Sequence, residues 1–432
     1  MKPFEQIPFN PGRWPFFYGW MVLFWGIMGV LLSVPGQTTG VSAFIEPLLE
    51  ALNINRVDLA DAYMIGTFSS SLLLTPAGKL FDRIGARWMG CLACLTLGIV
   101  LILFSQCATV YEPLSRLLPG RYAVLLLFGL LIFLLRLSGQ GILTMASRNM
   151  IMKWFDRHRG LASGIVGAAT AYGFSLAPSA FNLLIGKQGW SGAWWLMGLS
   201  LVFLFAPLLL LFFRDNPEAS GLIPDGKVIP LKKGAQPEIH REFTLPEARR
   251  TWAFWAFTLT ICTQALVLTA VGFHIESIFH LAGMSSEQGF GMLPPAAVIA
   301  VIMNLAGGWL SSRIELRWLL MTMLLAMAGY MLGFIWLRPG FVYWFIICTF
   351  GLSNGMFGVL MTLTWPRYYG RKHLGAISGL CMSFMGASSA LGPAFFSRIL
   401  QFTSHYAAAF AVSLLATLIL LAGSLRARNP QR

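Results

Sequence analysis

Long apolar stretches dominate this chain and constrain its fold more than any other feature. A helix needs roughly 20 apolar residues to cross the hydrocarbon core of a bilayer. Only 11% of the residues are charged, against about 25% in soluble domains. The sequence therefore predicts an all-α membrane protein with twelve transmembrane helices. These stretches, called spans 1 to 12 in chain order, lie at about 16–45, 57–78, 87–107, 121–148, 160–185, 192–213, 252–280, 287–311, 317–337, 341–366, 374–400 and 404–425.

The net charge of +14 is better explained by a membrane than by nucleic acid. With a cytoplasmic N-terminus and alternating spans, 24 Lys and Arg residues fall on inner loops and 6 on outer loops. Such an excess is typical of cytoplasmic loops. We therefore expect an integral protein of the inner or plasma membrane with both termini cytoplasmic, in contact with the lipid bilayer and without a nucleic-acid partner. Of the 31 Lys and Arg residues, Arg136 is the one that this count assigns to neither side of the membrane.

A proline-rich polar segment divides the apolar pattern in two. It covers 214–250 and reads as a cytoplasmic linker between an N-terminal half, 1–213, and a C-terminal half, 251–432. The end of the linker, TLPEARR, predicts a short interfacial helix with Thr244 as N-cap and Pro246 in the first turn.

Internal repeats support the division into halves. AGKLFDRIGARW (77–88), after span 2, and GGWLSSRIELRW (307–318), after span 8, are identical at six of twelve positions. Segments 160–178 and 375–393 share a Gly, Ser and Pro pattern at equivalent places in spans 5 and 11. Repeats of this kind indicate two six-helix, pseudo-repeated halves.

The loop sequence GKLFDRIGAR (78–87) resembles the motif between spans 2 and 3 of the major facilitator superfamily. FYGWMV (17–22), RRTWAFWAFTLT (249–260) and YYGRKHLGAISG (368–379) resemble the branch of oxalate/formate antiporters and monocarboxylate transporters. The resemblance implies the major facilitator fold and a secondary active transporter that works by alternating access.

The same resemblance implies a cytoplasmic latch in the loop after span 2. The latch carboxylate would be Asp82, which can pair with nearby cations or accept from helix N-terminal amides. In the second copy of the repeat Ser312 takes its place. The candidate latch residues are Gly78, Asp82, Arg83, Gly85, Arg87 and Arg148.

Arg136 is the foremost candidate for binding a substrate. It lies roughly 20 Å along span 4, and an arginine stays charged, so exposure to lipid would cost several kcal/mol. The twelve predicted spans contain no carboxylate at its level. Its partner is therefore an anionic substrate or, structurally, carbonyl groups where Pro35 and Gly36 disturb span 1. Arg136 and Gln140 share one helix face, and their order resembles the Arg-x-x-Gln-Gly motif of proton-coupled antiporters with one extra residue.

Other polar side chains lie in spans that the resemblance assigns to a central cavity. Each is also an ordinary candidate for a hydrogen bond between helices. The further substrate-binding candidates are Gln37, Thr38, Tyr172, Gln264, Asn304 and Asn354. His274 and Glu276, near the outer end of span 7, are the candidates for proton coupling, with a solvated outer rim as the alternative.

The sequence thus predicts a monomeric transporter of a small organic monoanion of the monocarboxylate type, with proton coupling by symport or antiport. Spans 8 and 11 carry no cation before Arg398, which disfavours a dicarboxylate exchanger with two cavity cations. The alternatives are a proton-coupled efflux antiporter for amphipathic compounds and a non-transporting nutrient sensor. No enzymatic activity, cofactor or metal site is expected, since six cysteines fall in or beside apolar runs without further metal ligands.

Overall fold

Helices cover all twelve predicted spans in the computed structural model, which describes residues 8–226 and 241–431. No β-strand occurs in these two ranges. The all-α fold with twelve transmembrane helices is confirmed. In chain order the helices of the spans are Gly19–Leu32 and Thr38–Leu52, Arg56–Leu72 and Leu74–Ile84, Ala86–Ser105, Gly120–Leu135 with Arg136–Leu143 and Thr144–Trp154, Arg159–Leu199 with Ser200–Phe205 and Ala206–Phe212, Trp252–Leu281, Leu293–Ser311, Leu316–Ile335, Phe341–Tyr369, Leu374–Thr403 and Ala407–Ser424.

Ten helical segments of the described chain are long and apolar enough to cross a membrane by length and composition. One of them, Arg159–Phe212, contains both span 5 and span 6, which are separated at Gly189, whose φ of 70° interrupts the helix. The helices of span 2 are not among the ten. Their charges, serines and threonines lower the hydropathy of 56–84.

Short helices connect or precede these longer helices. They are Pro11–Arg13, Val34–Gly36, Cys107–Leu117, Glu218–Ser220, Pro224–Gly226, Leu245–Ala248 and Ser286–Gly291. The predicted helix before span 7 is confirmed as Leu245–Ala248, with Thr244 as N-cap and a capping box to Glu247. Hydrogen bonds from Thr244 and Arg241 lower the pKa of Glu247 to about 2. The part of the predicted linker at 227–240 lies outside the described residues.

The chain groups into two compact units. Unit 1 is Met1–Asp156, Gly173–Pro230 and Ser378–Ser383. Unit 2 is Arg157–Tyr172, Leu231–Ile377 and Phe384–Arg432. The first part of span 5 thus belongs to unit 2, and a short part of span 11 belongs to unit 1. The predicted halves, 1–213 and 251–432, stay a prediction.

Close packing of small residues holds these two segments in their units. In unit 2, a Cβ on Gly160 would lie 2.1 Å from the carbonyl oxygen of Gly308, so the two helices meet backbone to backbone. In unit 1, Asn149 Nδ2 donates to Ser378 Oγ at 2.8 Å, and Thr75 N donates to Ser383 Oγ at 3.1 Å. Glycine and serine at such crossings are typical of helix packing in membranes.

Candidate substrate site

Arg136 is buried in unit 1 with only part of its guanidinium hydrogen-bonded. Its side chain is 1% exposed and begins the π-helical turn Arg136–Leu143 of span 4. Nη1 donates to Gly36 O at 3.2 Å and to Thr38 Oγ1 at 3.3 Å. Nε and Nη2 are buried and have no hydrogen-bond partner among the residues that the structure describes.

A break in span 1 supplies the carbonyl that Arg136 contacts. Pro35 has no N–H group, and Val34–Gly36 forms a 3-10 turn between the two helices of the span. After the turn, the amides of Gly40 and Val41 both donate to Gln37 O, so neither donates to Gly36 O. Buried carbonyls need a donor, and Arg136 provides it here.

The break also brings span 1 against the backbone of span 4. A Cβ on Gly36 would lie 2.7 Å from Leu135 O and 2.9 Å from Gly139 Cα, and a Cβ on Gly139 would lie 2.9 Å from Gly36 Cα. Only glycine at both positions allows this approach. The two glycines therefore place the Gly36 carbonyl within reach of Arg136.

Tyr63 of span 2 covers the guanidinium, and sequence reasoning missed it. Its ring centroid lies 5.2 Å from Arg136 Cζ, within the range of a cation–π contact. Its hydroxyl donates to Thr38 Oγ1 at 3.0 Å. The residue type was the available indication, because a tyrosine in an apolar span carries a hydroxyl that needs a hydrogen-bond partner.

Gln37 belongs to a neighbouring set of hydrogen bonds in unit 1. Its Nε2 donates to Ser33 Oγ at 3.1 Å and to Thr144 Oγ1 at 3.2 Å, and the two hydroxyls are 3.0 Å apart. These bonds join spans 1 and 4. Gln140 is half-buried on the same π-helical turn as Arg136.

Gln264 is the centre of a neutral hydrogen-bond cluster in unit 2. Its side chain is 0% exposed. Oε1 accepts from Tyr330 Oη at 3.0 Å and from Ser353 Oγ at 2.9 Å, while Nε2 donates to Asn354 Oδ1 at 3.0 Å. Spans 7, 9 and 10 are thereby joined. Asn354, the other candidate here, is half-buried.

Asn304 of span 8 is buried between glycines of two other spans in unit 2. Its Nδ2 donates to Ala300 O at 2.9 Å. A Cβ on Gly167 would lie 1.9 Å from Asn304 Oδ1, and a Cβ on Gly358 would lie 2.5 Å from it. The Asn304 amide thus fills the space left by the two missing side chains. Tyr172, the candidate of span 5, is exposed.

His274 contacts span 11 within unit 2. Its Nε2 lies 3.0 Å from Pro393 O and 3.2 Å from Ser397 Oγ. Since a carbonyl oxygen only accepts, Nε2 carries the hydrogen in this bond. The imidazole ring also packs against Tyr406, with centroids 5.5 Å apart. Glu276 is exposed two residues further along the helix.

The loop after span 2 is held by a carboxylate that sequence reasoning missed. Asp215 follows span 6, and its Oδ1 accepts from the backbone amide of Arg87 at 3.0 Å. Gly85 has a φ of +88°, and a Cβ there would overlap the Asp215 carboxylate. Arg87 Nε donates to Leu210 O at 2.6 Å. The signal was the position of Asp215 at the boundary between span 6 and the linker.

The other latch candidates differ in exposure. Gly78 is buried, Asp82 is half-buried and Arg83 is exposed. Arg148 is half-buried, and its Nε is buried without a hydrogen-bond partner in the described parts of the chain. The latch itself stays a prediction.

Comparisons with known proteins identify the family. The family model of the Major Facilitator Superfamily matches residues 23–393. The chain belongs to the major facilitator superfamily. Its twelve-helix fold is that of this superfamily, whose members are integral membrane transporters.

Individual relatives are distant. The uncharacterized MFS-type transporter YcxA of Bacillus subtilis (strain 168) is 23% identical over 179 residues, which are 41% of this chain and 40% of that relative. A bacterial homologue of the iron transporter ferroportin, solved in an outward-facing state, has a TM-score of 0.69 at 16% identity, covering 94% of this chain and 98% of that one. The human organic anion transporter MFSD10 has a TM-score of 0.66 at 13% identity, covering 94% and 99%. At these identities the solved structures share the fold alone.

Proposed function

We propose that this superfamily member transports a small organic monoanion, with Arg136 as the residue that binds the carboxylate. One observation carries the proposal: the Nε and Nη2 atoms of a cation that is 1% exposed have no partner in the described residues, while Nη1 is bonded. Nε and Nη2 form one edge of the guanidinium. That edge is one of those that bind a carboxylate through two parallel hydrogen bonds.

The energetics favour an anion at this edge. A buried charge with unmet hydrogen-bonding capacity is costly, and a bidentate carboxylate supplies both the charge and the acceptors. Gly36 O and Thr38 Oγ1 are neutral acceptors and leave the positive charge of Arg136 uncompensated. A single cation at this depth suits a monoanion, which is why we propose a monocarboxylate, as in the transporter branch that the sequence resembles.

The proposed cycle is alternating access with proton coupling. The superfamily's two-half architecture supports the first part. For the second, we propose His274 with Glu276, because an imidazole changes its charge near neutral pH and His274 is hydrogen-bonded to the backbone of span 11. Protonation at Nδ1 would make the ring a cation and strengthen the bond that Nε2 donates to Pro393 O, so that this contact between two helices would depend on pH.

Uptake and counterflow in proteoliposomes test the substrate and Arg136 together. A panel of short monocarboxylates and dicarboxylates is offered at two pH gradients. We expect saturable transport of a monocarboxylate, and Arg136→Gln should reduce it by about 100-fold or more, the loss expected when two charge-assisted hydrogen bonds disappear. Arg121→Gln is the matched control, since Arg121 lies on the same span with a 61% exposed side chain and pairs with Asp61.

Equal acid transport by Arg136→Gln and wild type would exclude Arg136 as the anion ligand. Export of amphipathic compounds without acid transport would favour the efflux antiporter instead. For coupling, His274→Gln should abolish the stimulation of uptake by a pH gradient while counterflow continues. Unchanged stimulation in that variant would remove His274 from the coupling step.

A further inference from the structure

Arg136, Thr38 and Tyr63 form a closed three-residue contact in unit 1. Thr38 Oγ1 accepts from Arg136 Nη1 at 3.3 Å and from Tyr63 Oη at 3.0 Å. The Tyr63 ring lies over the guanidinium, 5.2 Å from Cζ. Each member therefore contacts both others.

The exposure of the three residues indicates where an acid could reach the guanidinium. Arg136 and its partner Gly36 are buried, Tyr63 is half-buried and Thr38 is exposed. The contacts of Arg136 thus lead outward through Thr38 and Tyr63. The half-buried Tyr63 ring therefore lies over the guanidinium on the less buried side of this contact.

We infer that Tyr63 is the specificity-determining residue of this site and sets which acids reach Arg136. The inference rests on the proposed function and deepens it. The acid enters when the Tyr63 hydroxyl leaves Thr38 and the ring turns aside. The space that the ring vacates limits the substituent that follows the carboxylate, so the accepted class is short-chain monocarboxylates.

The hydrogen bonds can exchange without a net loss. Opening removes the bond from Tyr63 to Thr38 and the cation–π contact. The Thr38 hydroxyl can then donate to a carboxylate oxygen, and the guanidinium gains a charged acceptor for Nε and Nη2. A neutral molecule of the same size offers no charged acceptor for Nε and Nη2, so the Tyr63 contact favours entry of anions over neutral analogues.

Chemical modification of arginine tests whether Tyr63 shields Arg136, without any assumption about transport. The purified full-length protein is treated with phenylglyoxal, and modification of Arg136 relative to Arg121 is followed by mass spectrometry. We expect slow modification of Arg136 in wild type. In Tyr63→Phe it should be about fivefold faster, the equivalent of one neutral hydrogen bond, and faster still in Tyr63→Ala. Tyr122→Phe, at an exposed tyrosine of span 4, is the matched control and should change nothing.

Equal modification of Arg136 in wild type, Tyr63→Phe and Tyr63→Ala would overturn the inference. Tyr63→Phe keeps the ring and its packing, so it remains informative if Tyr63→Ala does not fold; folding is checked by size-exclusion chromatography. Counterflow then compares acetate with benzoate. We expect Tyr63→Ala to raise benzoate transport relative to acetate, whereas an unchanged ratio in a folded variant would contradict the specificity role.

The two proposals fail in different ways. If Arg136→Gln transports acids like wild type, the proposed function fails, whatever the modification rates show. If Arg136→Gln loses transport but Tyr63 variants change neither modification nor selectivity, the proposed function stands and the role of Tyr63 fails.

Discussion

Arg136 of unit 1 and Gln264 of unit 2 are both buried polar side chains of long apolar helices, but their surroundings differ. Gln264 Oε1 accepts two hydrogen bonds and its Nε2 donates one, and all three partners are neutral side chains of other spans. Arg136 carries a full charge, uses Nη1 alone, and leaves Nε and Nη2 buried without a partner in the described residues. A satisfied amide stabilises helix packing, whereas an incompletely paired charge destabilises it and is retained for another reason.

The same contrast occurs between the repeated loops of the two units. The loop after span 2 carries Asp82, and the equivalent position after span 8 is Ser312. Unit 1 thus holds a buried cation and a loop carboxylate where unit 2 holds an amide cluster and a hydroxyl. We expect substitutions in the charged positions to reduce transport, and substitutions in the neutral cluster to reduce stability.

The largest effect on folding is expected from Gly36→Ala. The added methyl group would lie 2.7 Å from Leu135 O and 2.9 Å from Gly139 Cα, and backbone atoms cannot move aside as a side chain can. Overpacking of this kind costs roughly 1–3 kcal/mol or more, and the Gly36 carbonyl would move away from Arg136. Thermal unfolding in detergent should show a strongly lowered midpoint. Gly129→Ala, which meets nothing within 4 Å, is the control and should be tolerated; equal midpoints would contradict the close approach of spans 1 and 4.

The contrast between Arg136 and Gln264 is tested by measuring Gln264→Leu and Arg136→Met in parallel. Gln264→Leu leaves the hydroxyls of Tyr330 and Ser353 without their acceptor, and about 1–3 kcal/mol is lost for each buried group that stays unsatisfied. Arg136→Met removes a buried, incompletely paired charge but also the donor of Gly36 O, so its unfolding midpoint should fall less than that of Gln264→Leu. Transport should respond in the opposite order, with Arg136→Met the more damaged. A lower midpoint for Arg136→Met than for Gln264→Leu would reverse our assignment of roles.

Hydropathy and charge were sufficient to predict the spans, because both follow from the bilayer itself. Arg136 could be singled out since every other Lys or Arg lies near the end of a predicted span or outside the spans. Gly36 O could be suggested only as an alternative partner of Arg136. Every residue has a backbone carbonyl, so the sequence does not show which one accepts the hydrogen bond. Tyr63 and Tyr330 were missed because an aromatic residue in an apolar run looks like ordinary lipid-facing or core sequence. Their roles depend on contacts with side chains of other helices, and residue spacing along one helix does not show which helices are in contact.

A smaller effect, confined to transport, is expected from Asp82→Asn. The change makes the side chain at this one position neutral, as Ser312 is in the second repeat, while it keeps the shape of the side chain. Loss of a charge-assisted hydrogen bond, roughly 1.5–3 kcal/mol, corresponds to a decrease of about tenfold or more in initial uptake rate. Expression and unfolding midpoint should stay near wild type. Ser312→Ala is the control in the second repeat, and wild-type rates for Asp82→Asn would refute the latch.

The smallest effects are expected at the two hydroxyls that donate to Gln264. Tyr330→Phe or Ser353→Ala removes one of the two bonds that Oε1 accepts and leaves the other. Single hydrogen bonds between membrane helices contribute on average about 0.6 kcal/mol, so each midpoint should fall only slightly. The double variant leaves the buried oxygen without a donor and should lose more than the sum of the two single changes. Measured as a double-mutant cycle, strict additivity would show that the Gln264 cluster does not act as one unit, and the contrast with Arg136 would then rest on charge alone.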